Sequence, residues 1–203
     1  MNKIVNVSPN INPATCFLKE PDYLYVSDID EPAYKKFKED FNRVLNANRT
    51  VVPIVVDSYG GYVDSLFGML SIIQSSPVPV VTILETKAMS CGAVLFSAGT
   101  KGMRYIAPLG HLMIHQVSLT EGEESKLAEM KVSVDHTETL NKQLLQILDK
   151  NCGKKEGYFD SEIERRKNTD WYVTSREAKR MGIADHIRMP QMRVLVHQFV
   201  EIS

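Results

Sequence analysis

Two continuous apolar runs constrain the fold of this chain most strongly. Residues 51–56 and 78–84 are rich in valine and isoleucine and do not alternate with polar residues, so each predicts a strand that is buried on both faces. Between them lies an amphipathic stretch whose apolar residues share one helical face: Leu66, Met69, Leu70 and Ile73. Strands that alternate with helices in this way predict a parallel sheet with right-handed crossovers.

The same alternation continues on both sides of these runs. Strand 23–26 and helix 31–47 are predicted before them, and helix 91–98 and strands 103–106 and 111–114 are predicted after them. The predicted fold class is therefore α/β, built from successive βαβ units.

The two ends and one long helix complete the predicted organisation. No internal repeat or low-complexity linker divides the sequence, so we expect a single domain over residues 1–203. Residues 1–22 are rich in proline and asparagine and predict an irregular segment, and residues 190–203 predict a C-terminal extension with a final strand at 192–202. Apolar residues at three- and four-residue steps predict a helix over about 123–151. We expect so long a helix to project and pack on another subunit, although a plain surface helix is the alternative.

The composition limits the possible partners. With 24 basic and 25 acidic residues the net charge is −1, which offers no electrostatic attraction for nucleic acid or for an anionic membrane. No apolar run approaches the roughly 20 residues of a membrane span, and three cysteines without metal-binding spacing are typical of a reducing cytoplasm. We therefore expect a soluble cytoplasmic protein that binds neither nucleic acid nor membranes.

A serine among small residues stands at one predicted strand-to-helix turn. Ser90 follows strand 78–84 and its polar extension, and it precedes the small-residue helix 91–98. Such a turn exposes a side chain beside the backbone N–H groups of a helix start, where the helix dipole favours negative charge. Ser90 is therefore a candidate nucleophile, and an ordinary helix N-cap is the alternative.

Other residues could supply what a serine nucleophile needs, namely a base and donors for the developing oxyanion. His115 ends a predicted strand, where sites form in open α/β sheets, although a structural histidine is the alternative. Gly60 and Gly61 follow the neighbouring strand and bring flexible backbone N–H groups, unless they only form a tight turn. The N–H of Cys91, next to Ser90, is a natural second donor.

Two rival chemistries use the same segments. The Cys91 thiol is a possible nucleophile, but we expect its side chain to point away from His115 and into the packing. The spacing of His111 and His115 suggests a metal, but a zinc protease needs that pair on a helix with a glutamate after the first histidine. We therefore predict no metal and no cofactor.

Six motifs follow one another in a specific order: DSYGG at 57–61, AMSCGA at 88–93, AGTKGMRY at 98–105, MIHQ at 113–116, DWYVTSREA at 170–178 and GIAD at 182–185. In these motifs the chain resembles the proteolytic subunit of Clp protease, the ClpP family, from about residue 23 to residue 188. The resemblance implies a ClpP/crotonase-like spiral of βαβ units whose long helix projects as a handle.

The resemblance also implies a role for each candidate residue. Ser90 would be the nucleophile, His115 the general base and Asp170 the acid that orients the imidazole. Gly61 and Cys91 would supply the two oxyanion N–H groups, and the Gly60–Gly61 loop would align an extended peptide. From the residues alone, Asp170 is not distinguishable from Asp160 or Asp185, although Asp185 is better suited to closing a turn.

The implied activity is that of a serine endopeptidase acting on unfolded polypeptides or peptides inside a ring. The family implies a homo-oligomeric ring of seven, single or double, and a separate AAA+ unfoldase as partner. This chain has Tyr59 and Val117 where the family usually has proline, and Thr169 where it usually has arginine. The alternatives are a specialised protease for one substrate, as in capsid maturation, a catalytically silent ring subunit, and a crotonase-like acyl-CoA enzyme.

Overall fold

The computed structural model describes residues 16–19, 21–47, 49–118 and 126–197. The chain divides at Tyr23 and Pro190 into a main unit, Tyr23–Pro190, and a second unit formed by the chain on either side of it. Within the second unit, strand β1 (Cys16–Lys19) pairs antiparallel with a strand at Val194–His197.

Seven strands of the main unit form its sheet within the described ranges. In chain order they are β2 (Leu24–Val26), β3 (Val52–Ser58), β4 (Val80–Met89), β5 (Arg104–Ile106), β6 (His111–Ile114), β7 (Trp171–Thr174) and β8 (His186–Ile187), and the strand at Val194–His197 is β9. The order β2-β3-β4-β5-β8 is parallel throughout. Strand β4 is long enough to pair with β5 along its first half and with β6 along its second, whereas β7 joins β6 antiparallel.

Helices pack on this sheet and supply the connections between its strands. In chain order they are α1 (Glu31–Asn46), α2 (Val63–Gln74), α3 (Cys91–Ser97), α4 (Leu127–Asn151), α5 (Tyr158–Arg165) and α6 (Ser175–Met181). Helix α1 begins where Asp30 accepts a hydrogen bond from the N–H of Ala33 at 2.8 Å. Helix α3 is buried along its whole length because its side chains are small or apolar, so it forms the centre of the core.

This mixed α/β fold with a mostly parallel sheet confirms the predicted fold class. The predicted irregular segment 1–22 is wrong at Cys16–Lys19, where backbone pairing with β9 makes a strand. The long helix is present from Leu127, and the final strand is present at Val194–His197. The remaining parts of these three predictions, at 1–15, 123–125 and 198–202, lie outside the described residues.

Among the helices that are described, none has the length and apolar character needed to cross a membrane.

Candidate active site

Ser90 occupies a strained turn between β4 and α3. Its φ of 55° and ψ of −124° lie in a region that residues with a side chain rarely adopt. Two hydrogen bonds hold this backbone: the N–H of Ser90 donates to the carbonyl of Met113 at 2.8 Å, and its carbonyl accepts from the N–H of Ala93 at 3.0 Å. Backbone strain of this kind concentrates at functional sites, and this strand–turn–helix geometry exposes the serine hydroxyl.

His115 lies beside Ser90 because β4 and β6 are neighbours in parallel register, with Met89 opposite Met113. The Nε2 atom of His115 is 2.8 Å from the Oγ atom of Ser90, which is hydrogen-bonding distance. The imidazole is 25% exposed, so it is accessible from the cavity described below. This pair can transfer a proton from the hydroxyl to the imidazole.

Asp170 reaches His115 through the antiparallel pairing of β6 with β7. Ile114 faces Trp171 in that pairing, so Asp170, one residue before β7, lies next to His115. The Oδ1 atom of Asp170 is 3.7 Å from Nδ1 of His115, and the carboxylate is 52% exposed. This distance allows an electrostatic attraction but exceeds that of a hydrogen bond.

The two other candidate acids have different surroundings. Asp185 accepts hydrogen bonds from the backbone N–H groups of Gly102 and Arg104 and from the Arg104 guanidinium, so its carboxylate is fully engaged in joining β5 to the loop before β8. Asp160 lies on the exposed surface of α5. Of the three carboxylates, the structure brings Asp170 to the imidazole.

The glycine pair is fitted against Ser90 and against the segment before α1. Gly61 has a φ of +149°, and a Cβ atom there would lie 2.2 Å from the carbonyl oxygen of Ile29, which accepts a hydrogen bond from the N–H of Tyr62 at 2.7 Å. Gly60 has a φ of +108°, and a Cβ atom there would lie 2.8 Å from Cβ of Ser90. Only glycine fits at either position without displacing its neighbours.

Cys91 is 2% exposed, as the sequence predicts, but its thiol also lies on the wall of the site. The Sγ atom donates a hydrogen bond to the carbonyl of Gly61 at 3.2 Å. Burial raises the pKa of the Cys91 thiol to about 11, more than the nearby Ser90 hydroxyl and backbone N–H groups lower it. The group is therefore a neutral thiol at neutral pH, which argues against a cysteine nucleophile.

An ion pair near the end of β3 supports the loop that leads to Gly60 and Gly61. Asp57 accepts hydrogen bonds from Lys87 at 2.7 Å and from the hydroxyl of Thr86. The hydrogen bond from Lys87 has the largest effect on the pKa of Asp57, followed by the one from Thr86. Together they outweigh the effect of burial, so the pKa of this carboxyl is lower than usual. The ammonium of Lys87 also lies 4.4 Å from the ring centroid of Tyr59, a cation–π contact that orders the loop. Lys87 is not recognisable from the sequence, because a lone lysine matches no motif.

Ser90 and His115 open into a cavity of about 760 Å³ between α2, α3 and α4. Its lining combines backbone at Gly61 with apolar side chains of α3 and α4 and with polar groups such as Asp64 and His136. Asp64 and His136 are not recognisable from the sequence, since an acid in the first turn of a helix and a histidine on a long helix are both common. Elsewhere in the described ranges, no three His, Cys, Asp or Glu side chains cluster as metal ligands would.

A serine–histidine contact at a strand-to-helix turn of a mostly parallel sheet is typical of serine hydrolases. A sequence model of the Clp protease family matches residues 11–198, and the chain belongs to that family. Family membership supports a peptidase of the ClpP type, and the fold has the mostly parallel α/β sheet expected of it.

Proposed function

We propose that this protein is a serine endopeptidase that hydrolyses peptide bonds of unfolded proteins or peptides inside a ring-shaped homo-oligomer. The observation that carries the proposal is the 2.8 Å contact between Ser90 Oγ and His115 Nε2 at a strained turn. Membership of the Clp protease family supports both the peptidase activity and a ring assembly.

The proposed mechanism assigns one step to each group. Ser90 Oγ attacks the scissile carbonyl carbon while His115 Nε2 accepts the hydroxyl proton, and His115 then donates that proton to the leaving amine. The N–H groups of Gly61 and Cys91 stabilise the oxyanion, a contribution that typically changes the rate by about 10²–10³ per donor. Water then hydrolyses the acyl-enzyme with His115 again acting as the base.

Asp170 has the role of stabilising the imidazolium form of His115. At 3.7 Å its carboxylate attracts that charge without a hydrogen bond, and half of it is open to solvent. A movement of less than 1 Å would bring the pair within hydrogen-bonding distance. We propose that contacts between subunits supply this movement, so that the site becomes fully active in the ring.

The proposed setting is the cytoplasm, with a ring of seven subunits, single or double, and a separate AAA+ unfoldase that delivers substrate. Enclosure in a ring would restrict the site to unfolded chains and short peptides. Cys91 and Cys152 are both free thiols, as is common in a reducing compartment. No cofactor is needed for this chemistry, because serine, histidine and backbone N–H groups suffice.

A specialised protease with one dedicated substrate is the second candidate. Tyr59 and Tyr62 flank the glycine pair and are both strongly exposed, so two aromatic rings are available to recognise a particular sequence next to the scissile bond. Incubation with an unfolded generic protein and with defined peptides distinguishes the two functions. Many cleavage sites indicate general degradation, and a single site indicates dedicated processing.

Fluorophosphonate labelling followed by intact-mass analysis tests the proposed function. We expect one adduct on the wild type and on Cys91→Ala, and none on Ser90→Ala. Native mass spectrometry of the same samples gives the number of subunits. Absence of an adduct on a well-formed oligomer would contradict the proposal and favour a catalytically silent ring subunit.

A further inference from the structure

The walls of the active-site cavity define the shape of the side chain that it can hold. Helix α4 lines one side with four leucine side chains, Leu140, Leu144, Leu145 and Leu148. Val94 of α3 and Ile114 of β6 extend this apolar surface towards Ser90. A substrate side chain with a long aliphatic stem would bury apolar area on all of these residues.

Among the described residues on the walls, one has a carboxylate and none has a permanently cationic side chain. Asp64 is the only carboxylate among the described residues that line the cavity, and none of those residues is a lysine or an arginine. The Asp64 side chain is exposed, and within the described ranges no hydrogen bond or ion pair engages it. An acid in the first turn of α2 suits the helix dipole, but this does not neutralise its charge towards the cavity.

The other titratable groups among the described lining residues are a thiol, a phenol and two imidazoles, and none of them carries a permanent positive charge. They belong to Cys91, whose buried thiol is neutral because its pKa is about 11, to Tyr62, and to the two histidines His115 and His136. His115 is engaged with Ser90 and faces Asp170, and His136 is an exposed residue of α4. An apolar cavity with a free carboxylate matches a side chain that has an apolar stem and a cationic end.

We propose that this cavity selects lysine or arginine at the residue whose carbonyl Ser90 attacks, with Asp64 as the specificity-determining group. The inference rests on the proposed function, since it concerns the substrate of the same site. The aliphatic stem packs on α3 and α4, and the cationic end lies near Asp64. An exposed ion pair contributes up to about 1 kcal/mol, so we expect a preference of about twofold to fivefold over an uncharged side chain of equal length.

Peptidyl diphenyl phosphonates test this inference on the assembled protein. These reagents label a reactive serine and place a chosen side chain where the substrate has the residue to be cleaved. Reagents with lysine, norleucine and glutamate side chains are compared, because norleucine has the stem of lysine without its charge. We expect Ser90 to be labelled fastest by the lysine reagent and slowest by the glutamate reagent.

Variants assign the preference to one carboxylate. Asp64→Asn should bring the lysine-to-norleucine rate ratio close to one, and Asp64→Lys should reverse the order of lysine and glutamate. Asp135→Asn is the matched control, since it removes an exposed carboxylate of α4 that does not line the cavity, and it should keep the wild-type ratio. Fluorophosphonate labelling and native mass spectra establish that each variant is folded and assembled.

The outcomes separate this inference from the proposed function. Suppose that fluorophosphonate labels wild-type Ser90 but that the lysine phosphonate labels it no faster than the norleucine phosphonate. That result would overturn the inference and leave the proposed function standing. A lysine preference that persists in Asp64→Asn would overturn the role of Asp64. Failure of every reagent, fluorophosphonate included, to label the assembled wild type would overturn both.

Discussion

At the scale of single residues, the Cys91 thiol supports the loop that contains Gly61, the proposed oxyanion donor. Its hydrogen bond to the carbonyl of Gly61 holds that residue close to Ser90. We expect Cys91→Ala to lower the rate of Ser90 labelling about threefold to tenfold, which corresponds to the loss of one net hydrogen bond, and Cys91→Ser to restore part of it. Fluorophosphonate labelling rates at pH 7.5 measure the effect.

Cys152 provides the matched control for Cys91. It is also largely buried, and burial raises the pKa of its thiol to about 12, but it does not line the active-site cavity. Cys152→Ala should therefore leave the labelling rate unchanged. Equal rates for wild type, Cys91→Ala and Cys91→Ser would contradict the supporting role of the Cys91 thiol.

Gly61 offers a second test at this scale. Gly61→Ala places a methyl group 2.2 Å from the carbonyl oxygen of Ile29, so the loop must move away, and we expect the Gly61 N–H to lose its proposed position beside the oxyanion. We expect at least a tenfold loss of the labelling rate. Gly153→Ala is the control, because Gly153 has a φ of +65° but no atom within 4 Å of the added methyl group, so it should cost stability only. Similar labelling rates for the two variants would contradict the prediction.

At the scale of secondary-structure elements, one buried ion pair joins three parts of the fold. The Arg104 guanidinium, only 3% exposed, binds Asp185 at 2.7 Å and donates to the carbonyl of Asn151 at the end of α4. Asp185→Asn leaves the buried guanidinium without a counter-charge, and we expect it to lower the free energy of unfolding by about 3 kcal/mol. Glu31→Gln, which breaks an exposed ion pair with Lys35, should hardly change it. Urea unfolding measures both variants.

The same ion pair predicts a dependence on pH. Burial alone raises the pKa of Asp185, but hydrogen bonds and charge from Arg104 outweigh it, so the pKa in the folded state is lower than usual. The contribution of Asp185 is then complete above the unfolded-state pKa of about 4 and is lost as the pH falls through the folded-state pKa. The difference in stability between wild type and Asp185→Asn should therefore narrow below about pH 4. A constant difference from pH 7 to pH 3 would contradict this.

The elements also explain how far the sequence predicts the site. Buried strands leave uninterrupted apolar runs, so the sequence predicts the parallel sheet and the positions of Ser90 and His115 at strand ends. Their contact depends on the pairing of β4 with β6 as well as with β5, which chain order does not specify. The proximity of Asp170 depends on the antiparallel pairing of β6 with β7, a long-range contact that residues alone do not specify, and only the family resemblance singled it out. The capping box of Thr174 and Glu177 is the local sequence pattern in that region, and it indicates only where helix α6 begins.

Side-chain directions were less predictable than positions. The contact of the Cys91 thiol with Gly61 depends on the positive φ of Ser90 and on the glycine conformations, which no periodicity reveals. Asp64 is unremarkable in the sequence and becomes informative only when the cavity between α2 and α4 is known. Local patterns therefore predict the elements, whereas the chemistry of the cavity depends on how they pack.

At the scale of the whole molecule, the start of α4 is a candidate contact surface between subunits. Every residue from 128 to 136 is exposed, so these turns of the helix have little contact with the other residues that the structure describes. Val132 and Val134 are 69% and 45% exposed there. Isolated helical turns gain most of their stability from packing of apolar side chains, and a second copy of this chain is the partner expected in a ring-forming family.

The last prediction follows from this exposed part of α4. We expect the double variant Val132→Glu/Val134→Glu to shift the native mass spectrum from rings to smaller species, because it places two carboxylates where apolar contacts between subunits are expected. Lys131→Glu is the control, since it changes the net charge by the same amount at an exposed position and removes no valine side chain. Rings of wild-type mass in the double variant would show that α4 does not mediate assembly. A loss of rings with slower Ser90 labelling would link assembly to the 3.7 Å separation of His115 and Asp170, because the site would then depend on neighbouring subunits to close it.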